Sequence, residues 1–299
     1  MRLALQLLTY HRIETLPVLF DSLATQTDRD WMLYVLDNST DQTKAQAIAD
    51  FVASQKDRFS IIFERATSNT GFDGGHQYLY EQHNAEYVMC VNDDAFLEPD
   101  FISHIVKCLD THPNVAAASG KILRWSVGVN GEIIKSTIID SLGIAKTPWH
   151  AAYDIGAGKP DPLPQEEYIP VFGVSGCLPT YRRSAVGEQL FDPSYFMYKE
   201  DVEISYRFAK AGWAVMVVPN AVAYHQRTFK EEKRKESVPF FIQWLSYRNH
   251  WRNLRKHLTI GDWLRAGWMI LPYEAAKFVY LCFTYRLTFL RAVFTRTGV

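Results

Sequence analysis

Asp93 and Asp94 stand side by side at the end of a short apolar run, Tyr87-Val88-Met89-Cys90-Val91-Asn92, and Ala95-Phe96-Leu97-Glu98-Pro99-Asp100 follows. Adjacent carboxylates repel each other unless a cation or solvent separates them. A hard divalent ion held by one or two carboxylates plus substrate phosphates is the economical explanation. A helix cap beside a solvated acid is the bland one. A second acidic stretch, Tyr198-Lys199-Glu200-Asp201-Val202-Glu203, opens a helical pattern that runs to Gly212. The helix dipole stabilises carboxylates in a first turn as anions. Asp201 is therefore expected to have a lowered pKa and to be ionised near neutrality, as a general base must be. Plain N-terminal helix acids are the alternative, but Tyr195, Phe196 and Tyr198 crowd the same turn and point to a partly enclosed site. His225 closes a later strand ahead of a charged segment, 230–236. A metal or diphosphate role there competes with a structural one.

Glycine supplies a third signal. Asn69-Thr70-Gly71-Phe72-Asp73-Gly74-Gly75-His76 precedes a helical pattern over about 74–84. Its glycines let backbone approach a ligand closely, and a helix N-terminus favours anions. The stretch is neither G-x-G-x-x-G nor a P-loop, which disfavours dinucleotide and kinase chemistry. Asp37-Asn38-Ser39-Thr40-Asp41 follows the second strand, where an acid is placed for ribose or base, or caps the helix near 41–55. Ser175-Gly176 is open to two readings, backbone amides near a ligand or tight packing.

These residues need a sheet to hold them. Apolar strands at 3–8, 31–36, 60–64 and 87–91 alternate with amphipathic helices at about 14–26, 41–55, 74–84 and 100–110. Beta-alpha alternation to about residue 118 predicts an α/β fold with a mainly parallel central sheet flanked by helices. Ligands bind such sheets at the carboxyl ends of the strands, where Asp37, Asp93 and Asp94 fall. Residues 119–170 lose helical periodicity and read as short β pieces followed by a long loop, 147–170, taken as the acceptor-side wall. The sheet resumes after Val171, with a further strand at 214–218. Residues 237–299 read as two or three helices. Their basic residues, Arg248, Arg252, Arg255 and Lys256, interleave with Trp244, Tyr247 and Trp251, which suits either a membrane interface or packing on protein, including a second subunit. The apolar stretch 267–290 contains Pro272, Glu274, Lys277 and Arg286, against a transmembrane span.

Composition narrows the class. The 299 residues carry a net charge of −1, which gives no argument for nucleic acid. Cys90, Cys108, Cys177 and Cys282 are scattered, form no CxxC pair and read as reduced thiols of a cytoplasmic protein. A strand at the very N-terminus leaves no room for a signal peptide.

Taken together, four features resemble family 2 glycosyltransferases of GT-A fold. They are Asp37-Asn38-Ser39, Asn69-x-Gly71-Phe72-x-x-Gly75, Asn92-Asp93-Asp94 with Glu98-Pro99-Asp100, and Tyr198-x-Glu200-Asp201-Val202-Glu203 with His225 downstream. Thr9-Tyr10-His11-Arg12 opens the pattern, and Tyr247-Arg248-Asn249 is similar to a motif after the catalytic domain of one subgroup. That subgroup comprises bacterial rhamnosyl- and galactofuranosyltransferases of surface polysaccharide assembly. The resemblance covers residues 3–226. It implies inverting transfer of a sugar from a UDP- or dTDP-sugar to a hydroxyl of a glycan or lipid-linked acceptor. It implies Asp201 as base, a divalent ion (Mg or Mn) at Asp94 with His225, and Asp93 as auxiliary. Thr9, Tyr10, Arg12, Asp37, Asn38, Asn69, Gly71, Phe72, Gly75 and Asn92 would line the nucleotide-sugar site with Asp93. The first position of the family's DxD motif is Asn92 here. The implied organisation is a catalytic domain, 1–236, with a nucleotide-sugar half (1–118) and an acceptor half (119–236), then a helical extension, 237–299. Peripheral attachment to the inner face of the cytoplasmic membrane and self-association are the partner expectations for that extension. The rival readings are a sugar-nucleotide nucleotidyltransferase, disfavoured because the loop after strand one has no glycine, and a non-catalytic membrane-associated binding protein.

Overall fold

The computed structural model describes residues 1–162, 166–226 and 239–295; the charged segment 230–236 lies outside the described residues. The first half alternates strand and helix: β1 (Leu3–Thr9), α1 (Leu16–Ala24), β2 (Trp31–Asp37), α2 (Gln42–Ala53), β3 (Ile61–Arg65), α3 (Gly71–Glu81) and β4 (Tyr87–Asn92). Next come β5 (Ala95–Leu97), α4 (Phe101–Thr111), β6 (Val115–Val127), β7 (Ile133–Ser141), β8 (Ile144–Lys146), β9 (Ala152–Asp154), β10 (Ile169–Pro170) and β11 (Thr180–Arg182). The chain continues through α5 (Arg183–Val186), α6 (Glu200–Lys210), β12 (Ala214–His225), α7 (Phe240–His257) and α8 (Ile260–Thr295).

The main sheet runs β10-β12-β6-β11-β4-β1-β2-β3, with β5 on β12 and β7 on β6. It is parallel from β4 through β1 and β2 to β3. Beyond β4 it is mixed. β11 enters antiparallel to both β4 and β6, while β6 and β12 pair in parallel. Strands buried on both faces need near-continuous apolar sequence, and β1 and β4 have it. Leu3, Leu5 and Leu7 face a core completed by Phe20 of α1, Ile48 of α2 and Phe101 of α4. On the opposite face, Ala4 packs with Leu79 of α3, and Val88 and Cys90 pack in a cluster with Ile204 and Phe208 of α6. A doubly covered sheet turns both faces to protein and leaves its strand ends for chemistry.

Two departures from the sequence expectations shape the site. The region expected as short β pieces and loop contains the 13-residue β6 and the 9-residue β7, which pair antiparallel. Their cross-strand partners lie close in sequence, but β6 is buried on both faces from Val115 to Leu123 and so carries no alternation to mark its length. The connection after Asp94 also contains a strand, β5, paired antiparallel with the end of β12. The register of β12 on β6 shifts between Val218 and Val222, around Pro219. Such an irregularity re-aims a strand. Here the strand resumes past it and sets His225 opposite both Ala95 and Arg124.

Candidate active site

The β5–β12 pairing decides the geometry at the end of β4. With His225 in register with Ala95, its Nε2 stands 3.1 Å from Asp94 Oδ1. Asp140 Oδ2, on β7, lies 2.8 Å from His225 Nδ1. Arg12 donates through Nη1 to Asp94 Oδ2 at 2.6 Å and lies 3.5 Å from Asp93 Oδ1. The Asp94 backbone carbonyl accepts from Trp125 Nε1 at 2.9 Å and from the Gln226 amide at 3.0 Å.

These contacts divide the acid pair. Burial pushes Asp94 up, but His225 and Arg12 outweigh it and hold the carboxyl below its ordinary range. Burial and the neighbouring Asp94 push Asp93 up to about 7, against Arg12. Burial disfavours a charged His225, yet its contacts with Cys177, Asp140 and Asp94 hold the imidazole well above its usual pKa. The residues fit a divalent ion. Two adjacent ligands about 2.1 Å from an octahedral ion stand roughly 3 Å apart, the spacing of Asp94 Oδ1 and His225 Nε2. Asp140 at Nδ1 orients the ring so that Nε2, on giving up its proton to an incoming ion, could ligate, the usual support for a metal-bound imidazole. Among the described residues no cluster of three or more His, Cys, Asp or Glu surrounds one point. An ion held by two side chains takes its remaining oxygens from phosphate and water.

A cavity of about 720 Å³ opens above these strand ends. It brings together Thr9, Tyr10, Arg12, Asn38, Asn69, Gly71, Phe72, Asn92, Asp93, Asp94 and His225. Leu8, Phe196, Met197, Tyr198 and Phe241 complete its wall; Phe196 and Tyr198 are two of the aromatics that point to an enclosed site in the sequence, and the other three have no such signal. Asp37, Gly75 and Asp201 are absent from the lining. Asp37 is fully buried, and its Oδ1 closes a turn by accepting the Ser39 amide. Its neighbour Asn38 reaches the glycine loop, donating to the Gly71 carbonyl at 3.0 Å and accepting the Thr70 hydroxyl at 3.0 Å. Asp41 caps α2 through the amides of Thr43 and Lys44. Gly75 works through packing, because a Cβ there would lie 2.4 Å from Leu8 Cδ1.

The glycine loop also differs from expectation. Helix α3 begins at Gly71, three residues early. Gly71 has φ +72°, and a Cβ would meet the Phe196 carbonyl at 2.3 Å. The Gly71 amide donates to Asn69 Oδ1 and the Asp73 amide to the Phe196 carbonyl. Two first-turn donors expected to face an anion are thus spent on the protein.

Asp201 sits in the first turn of α6, partly buried. Its Oδ1 accepts the Val202 amide at 2.8 Å and its Oδ2 the Gly176 amide at 3.3 Å. The Ser175-Gly176 turn therefore serves Asp201. A Cβ on Gly176 would lie 3.1 Å from Glu200 Oε1, 3.9 Å from Asp201 Oδ2 and 4.0 Å from Phe72 Cζ. Phe72 lines the cavity, and a side chain at position 176 would touch both it and the Asp201 carboxylate. Its pKa is raised, not lowered: burial outweighs Lys199 and the two amides, and Asp154 adds to the rise. Burial and Asp201 push Glu200 up to about 8. Fully buried Asp73 is pushed well up by burial, Glu200 and Asp201.

The loop between cavity and α6 is conformationally costly. Phe196, Tyr198 and Lys199 have φ of 69°, 70° and 73°, each worth roughly 1–2 kcal/mol against a residue with a side chain. Helix α7 holds it there. Asn249 donates through Nδ2 to the carbonyls of Tyr195, Met197 and Tyr198, each at 2.9 Å. Arg248 donates to the Tyr195 carbonyl at 2.8 Å, and Asn253 to the Lys199 carbonyl at 3.0 Å. Tyr195 returns a hydroxyl bond to Asn253 Oδ1 at 2.6 Å. Asn249 and Asn253 are buried polar residues one turn apart, a signal present in the sequence as Asn249-x-x-x-Asn253.

Residues 7–188 match the family described as "Glycosyl transferase family 2". Two strains of Mycobacterium tuberculosis, CDC 1551 / Oshkosh and H37Rv, contribute a relative named N-acetylglucosaminyl-diphospho-decaprenol L-rhamnosyltransferase. It is 31% identical over 152 residues, which cover 48% of this chain and 47% of the relative. The matched part thus spans about half the length of these curated relatives. Solved structures share the fold at low identity. The mannosyltransferase PcManGT of Pyrobaculum calidifontis, in complex with GDP-Man and Mn2+, superposes with TM-score 0.60 at 14% identity, covering 100% of this chain and 76% of that one. S. aureus TarS 1–349 in complex with UDP-GlcNAc gives TM-score 0.54 at 17% identity, covering 100% and 74%.

Proposed function

The chain belongs to glycosyl transferase family 2 and has the GT-A fold, and on that premise we propose that it transfers a sugar, of rhamnose or galactofuranose type, from a UDP- or dTDP-sugar to a hydroxyl of a glycan or lipid-linked acceptor in cell-surface polysaccharide synthesis, with inversion. One observation carries this reading. A single cavity gathers the glycine loop (Asn69, Gly71, Phe72), the acids at the end of β4 and His225 from the far strand β12.

Position supports the roles at the strand ends, and the family resemblance supports that of Asp201, which is outside the cavity lining. Thr9, Tyr10, Asn38, Asn69, Phe72 and Asn92 line the space for the nucleotide. Asp94 and His225 would hold a divalent ion, which neutralises charge growing on the leaving diphosphate. Arg12 and Asp93 stand beside them, and Arg12 adds a fixed positive charge to the same end of the cavity. Asp201 takes the proton from the acceptor hydroxyl as it attacks the anomeric carbon. Its raised pKa brings it toward the poise that suits a base, while the Gly176 and Val202 amides fix its orientation.

Residues 1–236 form the catalytic unit in this reading, and α7 belongs to the site as well, since Phe241 walls the cavity and Asn249 supports its loop. Cys90, Cys108 and Cys177 are buried free thiols and Cys282 is a partly buried one, in keeping with a reducing cytoplasm. Among the described residues no helix is long and apolar enough to cross a membrane. Helix α8 exposes Ile260, Leu264, Trp268 and Leu271 at 81%, 80%, 72% and 56%, spaced to share a face. That apolar face supports attachment to a membrane surface; pairing with a second copy is the competing outcome. Deleting 237–299 would also remove the loop's support, so the attachment is tested by Leu264→Ser with Trp268→Ser in vesicle sedimentation.

The function is tested by incubating the protein with labelled nucleotide sugars and a divalent ion and scoring slow donor hydrolysis. Hydrolysis of one UDP- or dTDP-sugar, abolished by Asp94→Ala, is expected. Formation of a nucleotide sugar from nucleoside triphosphate and sugar phosphate would support the nucleotidyltransferase instead. No turnover of any donor would leave a binding protein.

A further inference from the structure

A second cleft, of about 370 Å³, is lined by Asp192, Ser194, Tyr195, Arg252, Arg255 and Lys256. The next three residues of the same loop, Phe196, Met197 and Tyr198, wall the main cavity. One short strip of backbone thus contributes to both spaces.

The cleft has more positive charge than its own acids offset. The three cations lie at i, i+3 and i+4 near the end of α7, on one face of the helix. Lys256 is shared between Asp192 at 3.5 Å and Glu203 at 2.8 Å. Arg252 meets neutral partners: it donates to the Ser194 carbonyl and, at 3.3 Å, to its hydroxyl, and lies 5.7 Å from the centre of the Tyr195 ring. Arg255 is exposed, and among the described residues it has no hydrogen-bond or ion-pair partner. Two guanidinium groups without a carboxylate, beside a hydroxyl, offer the paired donors that suit phosphate oxygens. The carbonyl end of α7 favours cations too, but that attraction requires neither a concave wall nor a hydroxyl within it.

We infer that this cleft binds a phosphate group carried by a lipid, beside the loop that walls the catalytic cavity. The phosphate comes from the diphosphate of a lipid-linked acceptor or from a phospholipid headgroup. Assigning it to the acceptor rests on the transferase reading; the anion chemistry does not.

The test is flotation of the full chain with phosphatidylcholine vesicles containing no further lipid, a polyprenyl diphosphate, or phosphatidylglycerol, without nucleotide sugar. Wild type binds the anionic vesicles more tightly than the neutral ones. Arg255→Gln weakens that increment roughly tenfold, the loss of one charged hydrogen bond, and leaves donor hydrolysis unchanged. An increment with polyprenyl diphosphate alone identifies the acceptor; an equal increment with phosphatidylglycerol identifies the headgroup. Equal binding of wild type, Arg255→Gln and Arg252→Gln/Arg255→Gln to every vesicle overturns the proposal. If wild type hydrolyses no donor and the vesicle contrast persists, the cleft stands and the transferase reading fails.

Discussion

Asp140 Oδ2 lies 2.8 Å from His225 Nδ1, the ring nitrogen turned away from Asp94. The carboxylate fixes the imidazole's orientation and presents Nε2 toward the space beside Asp94. The acid is not singled out by the sequence, where its strand reads only as short β pieces.

Asp140→Asn is therefore expected to weaken Mn2+ binding about 10–100-fold. Titration of the ion by electron paramagnetic resonance measures this without catalysis. Activity should return at saturating ion, because the primary ligands remain. Unchanged affinity would mean that His225 does not ligate.

Asp201→Asn should lower turnover by roughly 10²–10⁴ while donor binding, followed by calorimetry, survives. In wild type, turnover should rise with pH as Asp201 loses its proton, with an acid limb above the ordinary value for an aspartate because burial raises this pKa. Lys199 lowers it. Lys199→Gly should move the limb to higher pH while relieving a left-handed backbone, a gain of roughly 1–2 kcal/mol less about 0.5–1 kcal/mol for the greater freedom of Gly in the unfolded chain. A limb that stays put in Lys199→Gly would detach the base from this helix start.

Asn249→Ala removes the amide that spans the carbonyls of Tyr195, Met197 and Tyr198. Leaving buried carbonyls unpaired costs about 1–3 kcal/mol, read by urea denaturation. Because Phe196, Met197 and Tyr198 wall the cavity, the donor KM should rise as well. Asn249→Asp should be worse, since it sets a carboxylate against carbonyl oxygens. Loss of stability with an unchanged KM would make the contact structural only.

Glu203 supplies a pH test of the α6–α7 contact. Burial pushes this carboxyl up, but His257, Arg207 and Lys256 bring it down to about 2 from 4.5. A depressed carboxyl contributes stability above its unfolded pKa and loses it as pH falls toward the folded one. The contribution, on the order of 3 kcal/mol, is present at pH 7 and fades from about 4.5 toward 2. Denaturation of wild type and Glu203→Gln should give curves that differ at neutrality and converge in acid.

The sequence made legible what depends on local pattern. The four parallel strands, their helices and the loops at the strand ends follow from apolar runs and turn residues, and most of the candidate nucleotide-site residues meet in one cavity. What stayed hidden depends on pairing across long stretches. His225 could be seen to end a strand, but not that β5 would set it beside Asp94. Asp201 could be seen to open a helix, but the sign of its pKa shift depends on burial, with Asp154 adding to it, which no periodicity reports. Tyr247-Arg248-Asn249 was visible as a motif, yet its partners are backbone carbonyls, which leave no trace in side-chain pattern.

The hold of α7 on the loop also sets an order in time. Residues 194–199 leave the ribosome before residues 248–253, so a growing chain can form its parallel strands while the cavity wall still lacks its donors. The wall takes its final shape only after α7 has been made and docked. Synthesis and docking of α7 are thereby a condition for a finished cavity wall.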